Sequence, residues 1–342
     1  MKVFDFFGSY SMFRPFIFEV NSGSDSQYTI PTGNGIFDYS AKISDGQTFT
    51  NLTGNKTIIF PDANTNYTIE IRGLFPHFYQ ADNSEKSKVL DVLQYGDIEW
   101  EDWSEMFDGC ENLNVSATDS PNMVNVVISS FAFRNCTSMI ECGDIDMVNV
   151  EDGSNMFYNC YVFNPSNFSP TLDVLKDGSN MFYNCYVFNP TNFSPTLDVL
   201  TDGNQMFRNC YVFNPTNFSP TLDVLTDGNQ MFRNCYVFNP SNFSPTLDVL
   251  TNGSQMFYNC YVFNPSNFSP TLDVLTDGYR MFYNCTLNTT NYSQILINME
   301  SANSNSNVPF HGGNSQYNTS GQTARTALIN NQNWIITDGG LI

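Results

Sequence analysis

The strongest constraint on this chain is a segment that returns every 25 residues. Met156 to Asn180 reads MFYNCYVFNPSNFSPTLDVLKDGSN, and the same unit restarts at Met181, Met206, Met231 and Met256, with a truncated copy from Met281. Degenerate copies precede them, Met106-Phe107-Asp108-Gly109-Cys110 and Ala132-Phe133-Arg134-Asn135-Cys136, which makes eight starts. A unit this short cannot bury its own apolar face and does so only against its neighbours. A fixed period of about 20 to 30 residues therefore signals a solenoid.

Within one unit Phe157, Cys160, Phe163, Phe168, Leu172 and Leu175 lie three to five residues apart, so no single helix or strand period fits them. Pro165 and Pro170 rule out a long helix, and Gly178 marks a turn. The simplest path round one coil is a short helical turn at Asn180 to Cys185, an extended segment at Val187 to Phe193, and a second extended or turn segment at Thr196 to Leu200. Coils joined by strand pairing would advance about 4.7–4.9 Å each.

The repeat also sorts the candidate functional residues into rows. Eight of the nine cysteines (110, 136, 160, 185, 210, 235, 260 and 285) recur with the units. Such a row reads as small apolar core residues, with disulfide bridging between adjacent coils as the alternative. No Cys-x-x-Cys pair is present, which argues against zinc. Asp173, Asp198, Asp223, Asp248 and Asp273 form one acidic row, and Asp177, Asp202, Asp227 and Asp277, interrupted by Asn252, form another. Like charges about 4–5 Å apart repel by about 1 kcal/mol even in a water-like dielectric. These rows therefore need solvation, a turn-capping role or bound cations, and turn capping is the favoured reading. One position changes freely among the units, Tyr158, Tyr183, Arg208, Arg233, Tyr258 and Tyr283, and is expected to be exposed. Beside it run Tyr161, Tyr186, Tyr211, Tyr236 and Tyr261, which either extend that surface or pack between coils. Tyr and Arg dominate binding hot spots, and aromatic faces suit sugar rings.

The pattern MFxxCxxF followed by LDVLTDG resembles the BspA-like leucine-rich repeats, also called Treponema-type or DUF285-type repeats, whose units carry [AM]-F-x-x-C-x-x-[LF]. The resemblance runs from about Lys88 to the C-terminus. It departs from the family in placing Phe163, Phe168 and their equivalents where aliphatics are usual, so a wider, more aromatic interior is expected. Ala324 to Ile329 and Trp334 to Gly340 are similar to the closing helix and last strand of such chains, which would make residues 286–342 a C-terminal cap with Trp334 over the last coil. The resemblance implies surface adhesion.

Residues 13–73 follow other rules. Short β-rich runs at 16–20, 27–30, 36–43, 57–60 and 67–71 alternate with turn clusters, as in a small β-sandwich. Ser44-Asp45-Gly46 and Asn66 to Gly73 are similar to a PKD-type Ig-like domain, without the tryptophan of that family's WGDG. The expected organisation is an N-terminal tail at 1–12, the sandwich at 13–73, a connector and cap at 74–105 containing a first strand at Lys88 to Leu93 and sealed by Trp100 and Trp103, eight coils at 106–285, and the C-terminal cap. The fold class is thus mixed and β-rich.

A net charge of −21, with 13 basic against 34 acidic residues, disfavours nucleic acid and anionic membranes as partners. The only histidines are His77 and His311; His311-Gly312-Gly313 lacks a GxSxG nucleophile, and no phosphate loop or Rossmann fingerprint accompanies it. No enzyme activity and no cofactor are expected. Met1 to Val20 does not read as a secretory leader, being interrupted by Asp5, Arg14, Pro15 and Glu19, and no stretch is long enough to insert in a membrane. The favoured expectation is a virion-associated protein, a bacteriophage tail or capsid appendage. It would bind a host-surface glycan or protein through the repeat surface and other particle proteins through the N-terminal domain, with homo-oligomerisation left open. A decoration protein or spacer without a receptor and a bacterial cell-surface adhesin are the alternatives, followed by an intracellular scaffold.

Overall fold

The computed structural model describes residues 13–342; the tail expected at 1–12 lies outside the described residues. The chain divides into two compact units, 13–150 and 151–342.

In the first unit, β1 (Phe16–Asn21), β2 (Gln27–Ile30), β3 (Asp38–Ile43), β4 (Thr48–Leu52), β5 (Lys56–Ile59), β6 (Asn66–Leu74), β7 (Val89–Gln94) and β8 (Asn114–Val115) form a six-stranded sheet, ordered β4-β3-β6-β1-β7-β8, and a separate β2-β5 pair. Alternation explains the packing: Phe16, Phe18 and Val20 of β1 and Tyr67, Ile69 and Ile71 of β6 are buried, while their neighbours are not. β4 had no signal in the sequence, because Thr-Phe-Thr-Asn-Leu on the sheet edge buries none of its residues. β3 starts two residues later than expected, and Ile36 is left 79% exposed.

The sheet does not end at Gly73. β7, inside the segment read as a connector, pairs antiparallel with β1 and parallel with β8, so strands from residues 13–73 and from the first repeat share one sheet. Trp100 and Trp103 are fully buried within this unit rather than laid over an end. Trp100 stands edge-on to Phe16 and Phe75; Trp103 stacks on Tyr95 and meets Phe133 edge-on.

The second unit is built from stacked 25-residue coils, and its local backbone differs from the expected helical turn and extended run. Along Gly178 to Cys185 alternate N–H groups do different things. Those of Gly178, Asn180, Phe182 and Asn184 donate to Asp202, Asn204, Met206 and Arg208 of the next coil at 2.8–2.9 Å. Those of Met181, Tyr183 and Cys185 close turns onto the carbonyl three residues back. Left-handed residues make this alternation possible, with φ of 56° at Asn180 and 61° at Asn184. Val187 to Phe193 likewise contains turns closed by Phe188 and Phe193, and formal strand pairing shrinks to single bridges from Asp152 through Asp177, Asp202, Asp227 and Asn252 to Asp277.

Three phenylalanine columns fill the interior. Phe182, Phe207 and Phe232 stack at 5.4 and 5.5 Å, Phe188 and Phe213 at 5.8 Å, and Phe193 and Phe218 at 6.0 Å, all with nearly parallel rings. Inside one coil Phe182 stacks on Phe188 at 4.4 Å, while Phe193 meets both edge-on. These are the offset and edge geometries that ring quadrupoles favour. Gly178 leaves room for this packing: a Cβ there would sit 3.1 Å from the Met206 sulfur of the following coil, close enough that the methionine would have to shift.

The last coil is closed by more structure than a helix and a strand. α1 (Thr289–Ala302), β9 (Pro309–His311), α2 (Thr319–Gln332) and β10 (Ile335–Thr337) follow it. Asn291, Asn298, Asn303 and Asn305, in and just after α1, donate to carbonyls of Pro265, Ser269, Pro270, Leu272, Val274 and Leu275, tying the cap to the last coil. β9 bridges Gly278 and puts Phe310 edge-on to Phe282. Phe310, not Trp334, therefore covers the aromatic column; Trp334 packs behind it and anchors its indole N–H on the Asn305 carbonyl.

Candidate binding surface

The first outer row is half-buried rather than exposed, because its members lie against one another. Tyr158 stacks on Tyr183 at 4.7 Å and Tyr258 on Tyr283 at 4.8 Å. Between these pairs the Arg208 guanidinium lies 5.2 Å from the Tyr183 ring and that of Arg233 lies 4.7 Å from Tyr258. The second row is continuous: Tyr161, Tyr186, Tyr211, Tyr236 and Tyr261 stack at 5.0–5.3 Å. Their rings pack between coils and still reach solvent, most at Tyr261, which is 54% exposed. Both alternatives for this row are thus met by one geometry. Val162, Val187, Val212, Val237 and Val262, each next to one of these tyrosines, are exposed, a row that the sequence reading passed over.

Between the coils an asparagine ladder was also missed. Asn159, Asn184, Asn209, Asn234, Asn259 and Asn284 all have φ of 61–64°, and from Asn184 onward each side-chain amide donates to the preceding oxygen at 2.7–2.9 Å. Asn at one fixed offset after each Met-Phe was the available signal, since Asn tolerates left-handed backbone.

Most members of the acidic rows accept hydrogen bonds from the protein, whereas the buried Asp273 Oδ1 has no partner among the described residues. Asp173, Asp198 and Asp223 accept the hydroxyls of Thr196, Thr221 and Thr246 of the next coil. Asp248 is exposed and Asp273 half-buried. In the second row Asp177, Asp202, Asp227 and Asp277 each accept the backbone N–H two residues on, and Asn252 does the same. Among the described residues no three His, Cys, Asp or Glu side chains are grouped to hold a metal. Burial, joined by Asp177 and Asp227 on either side and opposed by the Asn204 N–H, raises the Asp202 pKa. A carboxyl whose pKa is raised on folding contributes stability below its unfolded pKa and loses it as pH rises through the folded one. Asp202→Asn should therefore raise the melting temperature at pH 7, with the difference vanishing near pH 3; thermal melts at the two pH values check this.

All nine cysteines are buried and form no disulfide, and each of Cys185, Cys210, Cys235, Cys260 and Cys285 donates its S–H to the phenylalanine carbonyl 28 residues earlier, at 2.9–3.1 Å. Burial pushes these thiols up, that of Cys285 to about 12. The native protein should leave a thiol reagent unreacted at pH 8, and all nine groups should react in denaturant. The same shifts predict alkaline weakening. Their contribution is complete below the unfolded thiol pKa of about 8.5 and is lost as pH rises toward the folded values.

His77 is buried, with Nδ1 accepting the Asn34 N–H and Nε2 2.8 Å from the Ser104 carbonyl; His311 accepts the Gly313 N–H.

Comparison with known protein families finds two overlapping matches. Residues 101–219 match the family described as Mycoplasma protein of unknown function, DUF285, and residues 178–308 match the BspA type leucine rich repeat region. No curated protein and no solved structure matches the chain. No helix among the described residues is long and apolar enough to cross a membrane. The BspA-type match begins at Gly178 and takes in the 25-residue units that start at Met181, Met206, Met231 and Met256, so these units are similar to that repeat.

Proposed function

We propose that this chain is a non-enzymatic adhesion protein. Its units would form a solenoid whose tyrosine and arginine rows engage a glycan or protein on a cell surface, and its N-terminal sheets would be an Ig-like sandwich of the PKD type. The observation that carries the reading is the continuous stack from Tyr161 to Tyr261, five solvent-reaching rings about one coil apart. Stacked aromatic faces of this kind suit sugar rings and extended apolar ligands, at little entropic cost, because each ring is already held by its neighbours. The BspA-type match supports a surface or extracellular setting; the virion location expected from the sequence has no observation behind it.

The test applies the labelled full chain to a glycan array, beside the variant Tyr186→Ser, Tyr211→Ser, Tyr236→Ser. Retention of particular saccharides by the native chain, lost in a variant with an unchanged circular-dichroism spectrum, is the expected result. Equal retention by the variant, or none by the native chain, would overturn the reading and favour a spacer.

A further inference from the structure

The sequence contains no basic stretch, yet the repeat period brings three arginines of a protein with a net charge of −21 onto one face. Arg208 and Arg233 occupy the same position in consecutive coils, and Arg280 carries its charge close enough to Arg233 for the two to repel. Seven other basic residues, Arg14, Lys42, Arg72, Lys88, Arg134, Lys176 and Arg325, pair with carboxylates. Among the described residues no carboxylate stands within ion-pair distance of Arg208, Arg233 or Arg280.

What holds the two inner guanidiniums is a neutral frame. Arg208 Nη1 donates to the Oε1 atoms of Gln205 and Gln230, both at 2.6 Å, and Arg233 Nη1 donates to those of Gln230 and Gln255. Gln230 thus bridges both cations. The column that supplies these amides reads Asn155, Asn180, Gln205, Gln230, Gln255, Arg280, so the longer carboxamide stands in both coils that carry Arg in place of Tyr, and in the coil that follows them. The Nε atoms of both arginines are buried and have no partner. Tyr183 and Tyr258 close the pair on either side. Burial, and next the like charge of Arg208, lowers the Arg233 pKa, as expected for cations gathered without a counter-ion.

We infer that Arg208 and Arg233, framed by Gln205, Gln230 and Gln255 and flanked by Tyr183 and Tyr258, are a site for the oxyanion of an acidic saccharide, a sulfate or a carboxylate. A guanidinium presents paired donors that match such oxygens, and the adjacent rings offer faces to the sugar that carries them. This inference rests on the saccharide-binding form of the function proposed above and adds the ligand's charge and its position along the row.

The experiment compares full-length protein binding to dextran sulfate, polygalacturonate and unmodified dextran. The variant is Arg208→Tyr/Arg233→Tyr, which installs the residue that four other units already carry at this position. Binding to at least one polyanion, at least tenfold tighter than to dextran, is expected despite the net negative charge. It should weaken with salt as the screening length falls from about 10 Å at 0.1 M to about 3 Å at 1 M. The variant should lose at least tenfold in that affinity with its melting temperature unchanged. Preference for dextran sulfate assigns a sulfate, and preference for polygalacturonate a carboxylate. Equal binding to dextran, no polyanion binding, or undiminished binding by the variant overturns the inference. The wider reading then stands if the array still shows retention that depends on the Tyr186, Tyr211 and Tyr236 rings, and falls with it if it does not.

Discussion

Phe207→Ala should lower stability by about 3–5 kcal/mol, toward the top of the range for a buried aromatic. Phe207 stacks on Phe182 and Phe232 in the neighbouring coils, stacks on Phe213 at 4.5 Å within its own, and meets Phe193 and Phe218 edge-on. Five aromatic partners lose a face or an edge at once, in a rigid column where the coils above and below cannot close the gap without breaking their backbone ladder. Denaturant titration of the variant gives the number. A loss below about 1 kcal/mol, the size of an ordinary substitution, would mean that the column is not the element that joins the coils.

The second large effect falls on a polar residue. Asn209 has φ of 64°, donates its amide to Asn184 and accepts from Asn234, both at 2.7 Å. Asn209→Ala leaves a Cβ in left-handed backbone, at about 1–2 kcal/mol, and removes two half-buried hydrogen bonds of about 0.5–1.5 kcal/mol each. The expected loss is about 2–5 kcal/mol. Asn209→Gly removes the same bonds and relieves the backbone, so it should cost roughly half as much despite glycine's greater freedom when unfolded. Denaturant midpoints of the two variants separate the contributions; equal losses would show that the backbone conformation contributes nothing.

The repeat, the buried cysteine row and the turn-capping role of the Asp177 row were legible in the sequence because each depends on identity at a fixed interval. The coil's path was not. Leu197, Leu222, Leu247 and Leu272 adopt φ of 55–58° while fully buried, and nothing in a leucine announces left-handed backbone. Once these and the asparagines reverse the chain, the helical and extended segments expected from spacing become consecutive turns. The C-terminal cap was half visible: Trp334 and the second helix stood out, whereas α1 buries Tyr292, Ile295, Leu296 and Met299 amid Thr, Asn and Ser, and asparagine amides in and after it reach the last coil. At the candidate surface, both tyrosine rows were readable from their period. Their stacking, and the gathering of Arg208 and Arg233 on shared glutamines, required the coil geometry.

If the inner columns hold the 25-residue units together, the units should be interchangeable modules. Deleting Met206 to Gln230 joins Gln205 to Met231 and brings Phe182 against Phe232, the same contact chemistry at every position. Stability in such arrays is a sum of unit and nearest-neighbour contributions. The most direct measurement is therefore the thermal melt of this deletion. A cooperative transition within a few degrees of the native chain is expected, despite 25 lost residues, and a smaller change than Phe207→Ala produces with one side chain. Loss of the transition, or a larger fall than that substitution causes, would show that the units are not interchangeable.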